Sequence, residues 1–271
     1  EALKADRKKY AHIKTEKRDL LGRITLARPS VHNAFDETTI VELTRAFQEM
    51  GKDPEVRAVI LASEGMTFCA GADLSWMKRT MDFTPEENLR DAGRLEELLR
   101  TLHALPKPVI ALVQGAVYGG GIGLLCACDW VAAVNTARFR ISEASFGLCP
   151  AVISPYLLRR MGDRVCRELF LLANEFSAEA AHDYGLVNVV IPPYKLEEAG
   201  QSVVQNILRC GPSALAACKE LLARLPDLSA GETGAYTVRM LADTRAGKEA
   251  REGIAAFLEK REPSWRQASK S

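Results

Sequence analysis

The sequence is short of the residues that metal sites and disulfide frameworks need. It has four histidines among 271 residues, and no two of them have the spacing of a zinc site. Its seven cysteines are odd in number and include no C-x-x-C pair, which argues against a disulfide framework and for a reducing compartment. We therefore expect no bound metal, and we expect the protein to reside in the cytoplasm.

Long hydrophobic runs and a surplus of charge of either sign are also missing. No apolar run is long enough to cross a bilayer, and no secretory signal is visible, so we expect no membrane partner. The 36 basic and 35 acidic residues leave a net charge of +1, which argues against a nucleic-acid partner. A globular protein of one large domain, or of one domain with a small helical appendage, fits this composition.

Hydrophobic periodicity predicts alternating strands and helices in the first 150 residues. Continuous apolar runs at 57–62 and 109–113 are typical of strands that are buried on both faces. Before the first of these runs, Asp36 is the expected N-cap of a helix that runs to about Met50. This alternation indicates a mixed α/β core.

The second part of the chain has a mostly helical pattern. It begins near Pro155 and contains one strand-like run at 188–191, and three or four helices follow between 195 and about 260. We therefore predict a core over residues 11–195 and a C-terminal helical region over residues 196–265.

Two glycine- or alanine-rich segments stand where backbone N–H groups are able to bind an anion. Gly119, Gly120 and Gly121 follow a buried strand and open a helix, whose first N–H groups lack partners within the helix. Those donors and the helix dipole favour a phosphate or a developing oxyanion. The segment 68–74 also follows a buried strand and supplies a second set of N–H groups. Two such groups converging on one oxygen would form an oxyanion hole.

Glu143 is the candidate acid–base group. It stands at the end of a short apolar strand, just before a turn of small residues. A carboxylate in an apolar pocket has a raised proton affinity and is able to act as base and then as acid near neutral pH. Taken alone, a strand-end glutamate is more often a surface residue, and a triple glycine also serves close packing.

Three segments taken in order resemble the crotonase (enoyl-CoA hydratase/isomerase) superfamily. They are FCAGADL at 68–74, GAVYGGGIGLLCACD at 115–129 and FRISEASFGLCP at 139–150, and the C-terminal FLEKREPSW at 257–265 extends the match. The resemblance covers residues 12 to 265. It implies an α/β fold with a crotonase-like ββα spiral core, a C-terminal helical region used in trimerisation, and assembly as a homotrimer or a dimer of trimers.

The resemblance also assigns residues to the site. It implies an oxyanion hole made by the N–H groups of Ala72 and Gly120, with Glu143 as the catalytic carboxylate. It implies that coenzyme A is part of the substrate and that no further cofactor is needed. In many members the C-terminal contacts reach the coenzyme A of an adjacent subunit. The implied substrate and CoA contacts are Ala70, Ala72, Asp73, Leu74, Gly120, Phe257 and Lys260.

One position departs from the family pattern. Standard hydratases of the family carry a second glutamate where this chain has Gly123. The segments 71–79 and 142–156 resemble bacterial methylglutaconyl-CoA hydratases of leucine breakdown and the related isohexenylglutaconyl-CoA hydratases. The favoured activity is therefore hydration of a short, branched enoyl-CoA. The alternatives are a Δ3,Δ2-enoyl-CoA isomerase that uses the single glutamate, and a non-catalytic CoA- or RNA-binding protein.

For several further residues the sequence leaves more than one structural role open. Trp76 and Met77 either line the acyl pocket or pack in the core, and Tyr118 points either into the site or away from it. Cys69 lacks a histidine partner and is expected to serve packing. The segment 151–156 replaces the family's G-x-G-G-T-Q loop, and we expect it to reshape the acyl pocket.

Overall fold

The computed structural model describes residues 10–267 and contains nine strands within them. The basic start of the chain, expected from the sequence to be a frayed tail, lies outside these residues. The strands are β1 (Ile13–Arg18), β2 (Leu21–Leu26), β3 (Ala58–Ser63), β4 (Val109–Val113), β5 (Ala116–Tyr118), β6 (Trp130–Val134), β7 (Arg138–Arg140), β8 (Glu175–Ser177) and β9 (Val189–Ile191).

The strands form two sheets. The larger has the order β1-β2-β3-β4-β6-β9, and its neighbours run parallel except for β1 and β2. The smaller sheet has the order β5-β7-β8. The predicted apolar strands at 57–62 and 109–113 correspond to β3 and β4, which are buried along almost their whole length, as expected for central parallel strands.

Eleven α-helices lie between and after the strands in the described part of the chain. They are α1 (Glu37–Lys52), α2 (Leu74–Thr80), α3 (Pro85–His103), α4 (Gly120–Ala127), α5 (Ser154–Leu172), α6 (Ala178–Asp183), α7 (Leu196–Leu208), α8 (Pro212–Arg224), α9 (Ala230–Ala246), α10 (Lys248–Leu258) and α11 (Ser264–Gln267). The predicted cap of α1 is confirmed, since the Asp36 side chain accepts a hydrogen bond from the Thr39 N–H. The α/β class and the helical C-terminal part are therefore as predicted.

Apolar side chains bury both faces of the large sheet. On one face, Val59 and Leu61 join the main core, which also contains side chains of α1, α3, α4 and α5. On the other face, Ala58 and Ile60 pack with Val204 of α7 in a second cluster. The helix α7 thus covers the sheet, although it belongs to the region 196–265 that the sequence assigned to the C-terminal helices.

Two short strands were not predicted from the sequence. β5 occupies three residues between β4 and the triple glycine, and β8 occupies three residues before α6. Segments this short carry no periodicity, and they are strands because they pair with β7. Within residues 10–267, no helix combines the length and the apolar composition needed to cross a bilayer.

Candidate active site

A parallel pairing brings the two N–H-bearing segments side by side. The Cys69 N–H donates to the Ala116 carbonyl at 3.2 Å, and the Tyr118 N–H donates to the Cys69 carbonyl at 2.9 Å. Cys69 therefore lies opposite Val117 in a parallel bridge. Both segments then advance by three residues, to Ala72 on one and to Gly120 on the other. Two segments separated by 48 positions in the sequence are thus paired at Cys69 and Val117.

Phe35 holds these two segments together, and the sequence analysis missed it. Its N–H donates to the Gly71 carbonyl at 2.7 Å, and its own carbonyl accepts from the Asp73 N–H at 2.7 Å. Phe35 is 2% exposed, and a Cβ on Gly120 would lie 3.2 Å from Cδ2 of its ring. One residue therefore contacts both segments, through its backbone on one side and its ring on the other.

The N–H of Ala72 is turned away from Phe35. In the parallel bridge between these residues, Phe35 exchanges both hydrogen bonds with Gly71 and Asp73, so the N–H and carbonyl of Ala72 point to the other side. Gly71 has a φ of +90°, a conformation that glycine adopts without strain. In residues 10–267, the Ala72 N–H donates no hydrogen bond to the protein.

The N–H of Gly120 is the first of α4. The preceding Gly119 has a φ of +50° and donates its own N–H to the Arg140 carbonyl at 3.0 Å. The Gly119 carbonyl accepts from the N–H groups of Ile122 and Gly123, which starts the helix at Gly120. Because no residue of the described chain accepts from the Gly120 N–H, that donor and the positive end of the helix dipole remain available.

Glu143 reaches the same place from β7. β5 and β7 are parallel, with Tyr118 opposite Arg140, and Glu143 begins a 3-10 helix three residues further on. A Cβ on Gly119 would lie 3.1 Å from the Glu143 Oε1. The carboxyl group therefore packs against the glycine that precedes Gly120, in a space that only the absence of a side chain leaves open.

The environment of Glu143 favours its neutral form. Burial raises the pKa of this carboxyl above its ordinary value, and the backbone N–H groups of Ser142 and Glu143 oppose that shift. Its Oε2 is buried and has no hydrogen-bond partner in the described structure. A buried carboxyl oxygen without a partner is suited to exchange a proton with a bound substrate or water.

Apolar side chains close the space next to Gly123. A Cβ at this position would lie 2.4 Å from Cγ2 of Ile153 and 3.5 Å from Cδ1 of Leu99. Ile153 is 2% exposed and belongs to the segment 151–156. Where the resemblance implies a second glutamate, this chain thus has apolar side chains. One of them, Ile153, comes from the segment that replaces the family's G-x-G-G-T-Q loop.

The loop residues expected to contact coenzyme A differ in their exposure. Ala72 and Leu74 are exposed, and the Ala70 N–H donates to the carbonyl of the neighbouring His32 at 3.0 Å. The side chain of Asp73 is already used: its Oδ1 caps α2 by accepting from the Ser75 N–H, and its Oδ2 accepts from Arg28. Any contact of Asp73 with a ligand therefore falls to its backbone.

Phe257 and Lys260 lie elsewhere in the chain. Phe257 is near the end of α10 and is 82% exposed, and Lys260 follows that helix with a φ of +54°. α10 packs against α8 and α9. In the structure of residues 10–267, neither side chain forms a hydrogen bond or ion pair with the loop 68–74.

Three other candidate residues, Tyr118, Cys69 and Trp76, have defined surroundings in the structure. The hydroxyl of Tyr118 donates to Glu175 at 2.8 Å, so its polar end is engaged with β8. Cys69 is fully buried, and burial raises the pKa of its thiol to about 12, which favours the neutral thiol and a packing role. Trp76 is half-buried and packs against the main core.

Comparisons with known proteins identify the family of the chain. The sequence profile of a family described as "Enoyl-CoA hydratase/isomerase" matches residues 16–268. A Thermus thermophilus protein named as a candidate enoyl-CoA hydratase is 34% identical over 242 residues, which are 89% of this chain and 95% of that protein.

Solved structures are similar over nearly the whole chain. An enoyl-CoA hydratase from Shewanella pealeana superposes with a TM-score of 0.92 at 36% identity, over 95% of this chain and 97% of that one. A candidate enoyl-CoA hydratase/isomerase (crotonase) from Legionella pneumophila has a TM-score of 0.88 at 39% identity, over 94% of this chain and 99% of that one.

Proposed function

The chain belongs to the enoyl-CoA hydratase/isomerase family of the crotonase superfamily, and from that membership we propose that it hydrates a short, branched enoyl-CoA similar to methylglutaconyl-CoA. The observation that carries the proposal is the Glu143 carboxyl. The Glu143 side chain is half-buried, its Oε2 is buried and has no partner in the described structure, and its Oε1 packs against the glycine that precedes the unbonded Gly120 N–H.

In this proposal the N–H groups of Ala72 and Gly120 bind the thioester oxygen. As water attacks the β-carbon, electrons move to that oxygen and it gains negative charge. Both donors and the dipole of α4 stabilise the charge because they are fixed before the reaction begins. The loss of one donor of this kind typically costs about 3–4 kcal/mol of transition-state stabilisation.

Glu143 handles both protons. As a carboxylate it takes a proton from water while the water oxygen bonds to the β-carbon. As a carboxylic acid it then returns a proton to the α-carbon, on the same face of the former double bond. The product is a 3-hydroxyacyl-CoA, and the carboxylate is regenerated, so the reaction needs no second acid–base residue and no cofactor besides the coenzyme A of the substrate.

A second candidate activity is supported by the closed space at Gly123. In the described part of the chain, Ile153 and Leu99 and no carboxylate are the side chains nearest to Gly123. A Δ3,Δ2-enoyl-CoA isomerase needs only one carboxylate, which removes a proton from the α-carbon and delivers it to the γ-carbon. The same two N–H groups would stabilise the dienolate.

A substrate panel separates these activities. The purified protein is incubated separately with crotonyl-CoA, 3-methylglutaconyl-CoA and a 3-enoyl-CoA, and the absorbance of the conjugated thioester is followed. Loss of absorbance with either of the first two esters supports hydration, and gain with the third supports isomerisation. Binding without any turnover would favour the non-catalytic CoA- or RNA-binding alternative and contradict the proposal.

We further propose that the protein acts as a homotrimer or a dimer of trimers in the cytoplasm, in leucine breakdown. Residues 196–265 would provide the subunit contacts, and Phe257 and Lys260 would reach the coenzyme A bound to a neighbouring chain. The exposed apolar side chains of the last long helices support this assignment, since such surfaces are usually covered by a partner. They are Val238, Leu241, Ile254, Phe257 and Leu258.

A further inference from the structure

The segment that carries Glu143 is exposed and has few attachments to the rest of the chain. Glu143 begins the 3-10 helix Glu143–Phe146, which contains no buried residue, and residues 144–149 are all exposed. The backbone N–H groups of the segment 142–149 that are bonded within residues 10–267 donate to carbonyls of the same segment. An exposed segment of this kind opens locally at a small cost in free energy. A carboxylate that has to meet a substrate in a fixed geometry therefore needs a further support.

Arg140 provides a support from outside the segment. Its Nη2 donates to the Ser145 Oγ at 3.0 Å. In residues 10–267, no other side chain from outside the segment 142–149 forms a hydrogen bond with it. Arg140 is the last residue of β7, and Ser145 follows Glu143 by two residues within the 3-10 helix. The bond therefore connects the strand to the short helix on which Glu143 stands.

The guanidinium of Arg140 is itself fixed by a second hydrogen bond. Its Nε donates to the Ala173 carbonyl at 2.7 Å. Ala173 is 6% exposed and ends α5 with a φ of +50°, where the helix offers its last carbonyls no internal partner. Because Nε and Nη2 belong to one rigid planar group, the bond to α5 also fixes the direction in which the donor for Ser145 points.

The backbone of the same residue holds the other side of the site. The Gly119 N–H donates to the Arg140 carbonyl at 3.0 Å, and Tyr118 lies opposite Arg140 in the pairing of β5 with β7. Arg140 thus contacts the strand that leads to the Gly120 N–H through its main chain, and the helix that begins with Glu143 through its side chain. A substitution of the side chain removes the second contact and keeps the first.

The charge of Arg140 has a different neighbour. Burial raises the pKa of the Glu143 carboxyl, the backbone N–H groups of Ser142 and Glu143 oppose that shift, and the guanidinium does not contribute to it. Burial and the hydrogen bond to Glu175 raise the pKa of Tyr118, and the charge of Arg140 lowers it. The effect of Arg140 on Glu143 is therefore one of geometry.

Resting on the proposed function, we propose that Arg140 is a positioning residue for the proton transfer. Through Ser145 it holds the Glu143 carboxyl in place against the Gly119–Gly120 backbone, and it neither binds the substrate nor exchanges a proton. A displacement of about 1 Å in such a group is able to cost about 10² in rate. The loss of the Arg140 side chain should therefore act on kcat, whereas KM should change little.

Matched variants test the role of the side chain. Arg140→Met keeps the length of the side chain and removes its donors, and we expect kcat for the hydrated ester to fall by about 10- to 100-fold with KM within about twofold. Arg138→Met removes the same charge two residues earlier in β7, where the exposed guanidinium donates to the Ala137 carbonyl, and should leave kcat unchanged. An unchanged kcat in Arg140→Met, or equal losses in the two variants, would overturn the proposal.

Ser145 allows a milder test at an exposed position. Ser145→Ala removes the acceptor alone and is expected to lower kcat by about three- to tenfold, whereas Ser145→Thr keeps a hydroxyl and should retain most of the activity. In Arg140→Met combined with Ser145→Ala, the loss should be smaller than the product of the single losses, because both changes remove the same bond. Independent, multiplicative losses would refute the proposed route through Ser145.

The pH profile separates geometry from charge. We expect the acid limb of kcat/KM to stay at the wild-type pH in Arg140→Met, since the guanidinium does not contribute to the pKa of Glu143. A cation near a carboxyl lowers its pKa, so the removal of an acting charge would move the limb to higher pH. A limb moved in that direction would contradict the positioning role.

Amide hydrogen exchange keeps this proposal separate from the proposed reaction. If the wild type converts none of the esters, the proposed function fails, and exchange in the peptide 142–149 still reports whether Arg140 holds the segment. We expect exchange there to be about three- to tenfold faster in Arg140→Met and in Ser145→Ala than in the wild type or in Arg138→Met. Equal exchange in all four proteins would refute the proposal whatever the reaction is.

Discussion

At the scale of single residues, the chemistry depends on how Glu143 is held. Its half-buried carboxyl packs against Gly119, and its buried Oε2 lacks a partner in the described chain. We expect Glu143→Gln to lower kcat/KM for the hydrated ester by about 10²–10⁴, because the amide keeps the shape of the side chain but cannot accept the proton from water. Steady-state kinetics on the folded variant measures the effect. Full activity would mean that another group moves the proton.

The pH dependence of activity follows from the same burial. Because burial raises the Glu143 pKa, the fraction of the basic carboxylate falls at a higher pH than for an ordinary glutamate, whose pKa is about 4.3. We expect the acid limb of the kcat/KM profile to lie above that ordinary value, and the limb to be absent from the residual activity of Glu143→Gln. An acid limb shared by both proteins would assign it to a different group.

The raised pKa of Glu143 should also make the free energy of unfolding depend on pH. Since the folded-state pKa of Glu143 is raised, the native protein holds its proton more tightly than the unfolded chain does. The contribution of Glu143 to stability is therefore most favourable below the unfolded pKa and is lost as pH rises through the folded pKa. We expect Glu143→Gln to unfold at a higher urea concentration than the wild type at pH 8, with a smaller difference near pH 4.

At the scale of secondary-structure elements, Asp73 sets the start of α2 directly after Ala72. Its carboxylate caps the helix and pairs with Arg28 at 3.0 Å. We expect Asp73→Ala to cost about 1–2 kcal/mol of stability through the lost cap and to lower kcat as the Ala72 peptide loses its fixed orientation. Chemical denaturation and kinetics measure the two effects.

Asp129 offers a matched control for that experiment. It too accepts a backbone N–H, that of Val109, and pairs with a cation, Lys219. Asp129→Ala should therefore lose stability without a comparable loss of kcat. Equal losses of kcat in the two variants would mean that Asp73 acts through general stability alone.

The contact of α4 with Ile153 is a second element-scale feature. Because Ile153 fills the space beside Gly123, we expect Gly123→Ala to cost about 1–3 kcal/mol by overpacking. In combination with Ile153→Ala the cost should be smaller than the sum of the two single changes, because the methyl group added at position 123 occupies space that the shortened side chain leaves. Urea denaturation of the four proteins measures the coupling, and strict additivity would contradict the contact.

At the scale of the whole molecule, the proposed assembly puts residues of two chains into one site. A Glu143→Gln chain and a Lys260→Ala chain should each have low activity, the second through weaker binding of coenzyme A. Mixed oligomers would contain sites with Glu143 from one chain and Lys260 from its neighbour, and activity should rise after mixing. Light scattering should give the mass of three or six chains.

The controls for the mixing experiment are each variant taken alone through the same dissociation and reassembly. Neither should gain activity. A protein that is monomeric by light scattering, or a mixture that never exceeds the mean of its two components, would contradict the shared site.

The sequence by itself determined the α/β class, the central buried strands, the cap of α1 and the ordered segments around Ala72, Gly120 and Glu143. These features are local, because periodicity, capping and glycine content depend on neighbouring residues. Only the tertiary structure decided that Phe35 joins two distant segments and that Ile153 closes the space at Gly123. These depend on pairing and packing between residues far apart in the chain, which no local pattern records.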